Sequence, residues 1–139
     1  MHDQPLVHQW LCDWESCIRR RDFERGRMLF DADVMSFGTR AVIAFGLDDL
    51  EGHQWRQIWP FIEDFRFDRD TMRIVSSPDG LFATLALTWS SKGFDENRDV
   101  FVRPGRATVV LERSSVGDPW RAVHTHFSLN CGVPESAIR

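Results

Sequence analysis

The sequence predicts an α+β fold in which N-terminal helices pack on one face of a strongly curved, mostly antiparallel sheet. Three observations carry that prediction: apolar residues recur at helical spacing near the N-terminus, the period then shifts to two, and the second half reads as strands separated by turn signals. The 139 residues suit one domain, 1–139, because a second would leave neither part an adequate core. Apolar side chains make up 42% of the chain, with 11 Phe and 6 Trp, so the core needs no metal or disulfide staple.

Leu6, Val7, Trp10, Leu11, Trp14, Cys17 and Ile18 stand three and four apart, on one face of a first helix whose first turn suits Pro5. Asp22 is placed to cap a second, shorter helix over 24–29, with Phe23 and Leu29 on its apolar side. Over 31–46 the alternation of Val34, Ser36 and Gly38 against Met35 and Phe37 predicts two short strands, the second over 41–45, divided by a turn at Gly38-Thr39. Asp48 or Asp49 then caps a third helix, stopped near Pro60, on which Trp55 and Trp59 share a face. Strands over 65–75, 81–91, 100–112 and 120–129 follow, divided by the turn 76–80, a loop 92–97 and the turn 116–119. The Pro104-Gly105 step predicts that pairing in the third of these starts at Arg106.

The formal net charge is −4, the arginines are interspersed with acids, and Lys92 is the single lysine. Without a basic stripe to neutralise phosphates, nucleic acid is not an expected partner. No apolar run reaches the roughly 18 to 20 residues that span a bilayer, so no membrane partner is expected. The N-terminus lacks a leader pattern, which makes the cytoplasm the expected compartment. Cys12, Cys17 and Cys131 form no C-x-x-C pair and read as reduced, mostly buried thiols. Nucleotide-binding glycine motifs and the G-x-S-x-G elbow are missing from the sequence, and no cofactor is expected.

Candidate chemistry falls on a few positions. His124 and His126 lie two apart on a strand and share one side with Ser128. An ordinary pKa of about 6.5 suits either ring to proton transfer, and the competing role is hydrogen-bonded packing within the sheet. Two same-side histidines could also start a zinc site, but no third ligand stands at a fixed spacing, so no metal is expected. Arg106 and Thr108 share a face of the preceding strand and approach the histidines if the two strands pair. An inward Arg106 would bind a carboxylate or phosphate; an outward one would be a surface cation or pair with Glu112 or Asp99. Trp10, Trp14, Trp55, Trp59 and Trp89, with Phe37 and Phe127, either fill the core or wall a small-molecule cavity.

Particular strings add a resemblance. Leu29-Phe30-Asp31-Ala32-Asp33-Val34, Phe37-Gly38-Thr39, Trp89-Ser90-Ser91, Gly105-Arg106-Ala107-Thr108-Val109-Val110-Leu111 and Trp120-Arg121-Ala122-Val123-His124-Thr125-His126-Phe127-Ser128-Leu129 occur in this order. From Leu6 to Leu129 the chain resembles the SnoaL-like branch of the nuclear transport factor two-like superfamily, and its final strand is similar to the association domain of calcium/calmodulin-dependent protein kinase. The resemblance implies a conical α+β shape with an interior pocket, and a homodimer paired through the sheet. It departs from ketosteroid isomerase relatives, in which the base is an aspartate at the end of the first strand, where Gly38 stands here. It departs from the kinase association domain at Phe127, where that domain has an arginine. The function expected is binding of a small, partly apolar molecule, anionic if an arginine faces it, by a dimeric domain. The alternatives are an isomerase, dehydratase or cyclase using His124 or His126, and a structural assembly domain.

Overall fold

The first helix, α1 (Gln4–Arg20), buries the predicted stripe except at its start: Val7, Trp10, Leu11, Trp14, Cys17 and Ile18 face the core, whereas Leu6, in the first turn, is exposed. In the computed structural model, which describes residues 4–137, the helix ends on Arg21 in the left-handed region at φ 57°. The Arg21 and Asp22 N–H groups close the last turn onto Ile18 O and Cys17 O, a C-terminal motif that usually takes glycine. Arg21 remains useful there because its guanidinium donates to Trp59 O and Ile62 O, tying the end of α1 to the later helical segment. Asp22 caps α2 (Phe23–Arg27) as predicted, accepting from Arg25 N. The helix stops two residues short of the expected 29, because Leu29 gives its carbonyl to Trp10 Nε1 and Ala122 N and the chain enters a strand.

Strand β1 (Phe30–Phe37) is followed by a two-residue strand β2 (Ala44–Phe45). The segment 47–61 is helical but irregular: α3 (Leu47–Leu50), a π-helical turn (Glu51–Trp55), α4 (Arg56–Ile58) and a 3-10 turn (Trp59–Phe61). Asp48 and Asp49 lie inside its first turn rather than before it, since Gly46 at φ 87° makes the corner. Asp49 reaches back to accept from Phe45 N and so joins β2 to the helix.

Four long strands complete the chain: β3 (Glu63–Ser76), β4 (Phe82–Phe94), β5 (Val100–Glu112) and β6 (Arg121–Leu129). The sheet order is β2-β1-β6-β5-β4-β3, antiparallel throughout except that β1 runs parallel to β6. Register shifts between Asp68 and Arg73 in β3, and opposite Val110–Leu111 in β6, insert extra residues that bend the strands and help curve the sheet.

Two strand boundaries differ from expectation. β4 continues through Lys92 to Phe94, and β5 pairs from Val100 rather than from Arg106. Pro104 is tolerated because a residue's N and O point to the same side of a strand. Its O accepts from Asn130 N, just past the end of β6, so the missing donor falls where the neighbouring strand has stopped. The cysteines also differ: only Cys17 is buried, while Cys12 lies on the outer side of α1 beside Arg69 and Cys131 lies in the tail. Among the described residues no helix is long and apolar enough to cross a membrane.

Candidate functional site

In β4 and β5 the odd-numbered residues Leu85, Leu87, Trp89, Ala107, Val109 and Leu111 turn inward, and in β6 Thr125 and Phe127 do. Between this concave face and the helices lies a cavity of about 40 Å³, room for roughly two or three waters. Trp89, Phe65 and Phe127 form its sheet side, Trp14 and Ile18 come from α1, and Gln54, Trp55, Ile58 and Trp59 come from the segment 47–61. The rings interlock: Phe127 meets Trp14 edge-on at 5.3 Å, Trp89 stacks on Phe65 at 5.5 Å, and Trp59 stacks on Trp55 at 4.7 Å and on Phe23 at 5.2 Å. The indole N–H groups of Trp14 and Trp89 are buried and have no acceptor among the described residues, an arrangement that costs about 1–3 kcal/mol per group when left unmade.

One end of the cavity is polar. The Gly38-Thr39 corner after β1 leaves no side chain in the way, so the Gln54 amide lies directly over Gly38; a Cβ there would sit 2.4 Å from Gln54 Oε1. Gln54 Oε1 accepts from Arg40 N and Ala41 N at 2.9 and 2.7 Å, and its Nε2 donates to Thr39 Oγ1 at 3.0 Å. The same Thr39 oxygen accepts from Arg103 Nη2 at 3.2 Å. Arg103 is 1% exposed and also donates to Ser91 Oγ and, through Nε and Nη2, to a single oxygen of Glu135. Burial pushes the Arg103 guanidinium below the ordinary arginine range, and Glu135 opposes that shift.

Of the residues singled out from sequence, Trp14, Trp55, Trp59, Trp89 and Phe127 line the cavity. Phe37 borders it, but its ring packs edge-on against His124 and His126, each 5.3 Å away, on the other side of the sheet. Arg106, Thr108, His124 and His126 do come together, with Thr108 opposite His126 and Arg106 opposite Ser128. They do so on the outer face, away from the cavity, so that none of the four lines it and Arg106 takes the outward of its two expected orientations. The reason is parity: Ala107, Val109 and Leu111 take the inner positions of β5, and Thr125 and Phe127 those of β6, leaving the polar alternates outside. His124 is fixed there by donating from Nδ1 to Met35 O at 2.7 Å, the packing role that competed with proton transfer.

Sequence reasoning missed Arg103, Thr39, Gln54 and Glu135. The parity of Ala107-x-Val109-x-Leu111, extended backwards, would have found Arg103; nothing in the local pattern pointed to Glu135, 32 residues further on.

Comparison with known proteins adds the family. The model of the SnoaL-like domain family matches residues 7–132. The chain belongs to this family. Among solved structures, the SnoaL-like domain described here superposes on a ketosteroid isomerase-like protein from Erwinia carotovora atroseptica with a TM-score of 0.76 at 12% identity, covering 92% of this chain and 96% of the other. A candidate calcium/calmodulin dependent protein kinase II association domain from Xanthomonas campestris gives 0.75 at 15% identity, over 91% and 87%. A nuclear transport factor 2-like superfamily protein from Salmonella enterica gives 0.73 at 17%, over 95% and 91%. At these identities the likeness is one of fold. No curated protein matches the chain. At Gly38 the space that a side chain would fill is taken by the Gln54 carboxamide, which does not titrate.

Proposed function

We propose that this SnoaL-like domain binds a compact, partly apolar small molecule and works as a binder rather than as a proton-transfer enzyme. The observation that carries the reading is the lining of the cavity: aromatic and aliphatic walls, two unpaired indole N–H groups, one buried guanidinium, and no histidine or carboxylate among the residues that enclose it. Such a site offers surface to bury and a few donors to orient a ligand, while acid–base work needs a group that gains or loses a proton near neutral pH. The size of about 40 Å³ favours a small body. A larger one requires a wall to yield, and the segment 47–61, assembled from short turns around a π-helical one, is the wall least held by regular helix bonding.

The test is a titration with neutral ring compounds, indole and benzyl alcohol, followed by the indole N–H signals in ¹H–¹⁵N spectra. Saturable shifts of Trp14 and Trp89 are the expected result, with the Trp14 shift reduced in Trp89→Leu. Shifts confined to exposed residues, or none at saturation, would overturn the reading.

A further inference from the structure

We propose that the polar end of the cavity is a carboxylate site, in which Glu135 stands in for the carboxylate of a small aromatic acid and leaves Arg103 when that acid binds. The inference deepens the proposed function and rests on it. Arg103 comes from the inner face of β5, lines the cavity, and carries its guanidinium over the Trp89 ring, 5.2 Å from the centroid. A charged fork beside an aromatic wall is the chemistry that recognises a flat acid: the fork takes the carboxylate and the ring takes the body.

Glu135 matches that fork incompletely. Both Arg103 Nε and Nη2 converge on Oε1, whereas Oε2 is buried without a partner among the described residues. An arginine fork and a carboxylate fit best with one N–H on each oxygen. With Thr39 and Ser91 included, the contacts use four of the five guanidinium hydrogens, and one on Nη1 remains for a second acceptor. Burial works against the charge on Arg103, so a carboxylate with both oxygens engaged improves on the present partner.

The piece that carries Glu135, residues 130–137, lies outside the strands and is docked on Phe94: the buried Ser136 Oγ accepts from Phe94 N at 2.9 Å and donates to Phe94 O at 3.4 Å, and Ala137 N donates to Phe94 O at 2.7 Å. Exchange of one carboxylate for another keeps Arg103 compensated throughout, which simple loss of Glu135 would not.

Benzoate and its neutral counterpart benzamide test this by NMR titration of the wild type, of Glu135→Gln, and of the double variant Arg103→Gln/Glu135→Gln, whose paired amides keep the packing. Removing the internal competitor should tighten benzoate binding about ten-fold in Glu135→Gln, leave benzamide unchanged, and the double variant should lose the preference for benzoate. In the wild type, saturation with benzoate should speed hydrogen exchange at the Ala137 amide, which a fixed clamp would not allow. Equal benzoate affinity in wild type and Glu135→Gln, or an Ala137 amide whose exchange stays slow, would overturn the inference. If benzoate fails while indole binds, the carboxylate site falls and the binding cavity stands; if indole fails too, both fall.

Discussion

At the scale of single residues, the site depends on places where a side chain is missing. A Cβ on Gly105 would lie 2.3 Å from Ser128 O and 2.3 Å from Trp89 Cζ2, and neither the backbone oxygen nor the packed indole has room to retreat. Gly105→Ala should therefore lose about 3 kcal/mol of stability in urea unfolding. Gly52, whose Cβ would meet nothing within 4 Å, provides the contrast; Gly52→Ala should gain about 0.5 kcal/mol, because alanine restricts the unfolded chain and suits a helix better. Equal effects at the two positions would refute the packing account. The same neighbourhood shows what sequence could disclose. The aromatic wall was legible because large rings at helical and strand spacing must be buried somewhere. The buried charge was harder to place: the sequence leaves Arg106 open between the two faces and does not single out Arg103, since two arginines three apart fall on opposite faces and only the strand's apolar parity tells them apart. Glu135 was illegible because a long-range ion pair leaves no periodic trace.

At the scale of elements, the irregular segment 47–61 holds Gln54 and Trp55 against the cavity, and one carboxylate braces it. Glu51 accepts from Arg27 Nη1 at 2.9 Å and from Arg56 Nε at 2.6 Å, joining α2 to the π-helical turn. Burial raises the Glu51 pKa, but the bonds from Arg27 and Arg56 outweigh it and leave the carboxyl below its ordinary value of 4.5. A carboxylate depressed by folding contributes stability that is present above its unfolded pKa and lost as pH falls through the folded one. Glu51→Gln should thus cost about 1 kcal/mol near neutrality, the upper range for partly exposed pairs, and the gap to the wild type should close as pH drops below 4.5. Urea midpoints from pH 7 downward measure it, and a gap independent of pH would count against the brace. Sequence predicted this helix and its tryptophan face but not its π turn; Trp55 and Trp59 stack together over Gly26, where a Cβ would sit 3.2 Å from Trp59.

At the scale of the molecule, the helices occupy one face of the sheet and the other carries the residues first suspected of chemistry. Ala86, Thr88, Arg106 and His126 are exposed there, and so are the outward apolar side chains Phe45, Val75, Val100 and Val102, each more than half open to solvent. Isolated apolar side chains on a surface are ordinary, and these are spread over the face from β2 at one edge to β3 at the other. The partner proposed for it is a second copy of the chain, as the family resemblance implies, with Thr108 and Ala86, which pair across β5 and β4, near the middle of the face. On this reading Arg106 and His126 serve assembly rather than ligand chemistry. Light scattering should give twice the chain mass at micromolar concentration. The double variant Ala86→Arg/Thr108→Arg, which sets like charges against each other across a two-fold axis, should run as a monomer while keeping the wild-type indole titration, because the cavity lies on the opposite face. A wild type that is already monomeric would remove the assembly role from this face, and loss of the indole titration together with the dimer would show that cavity and interface are coupled through the sheet.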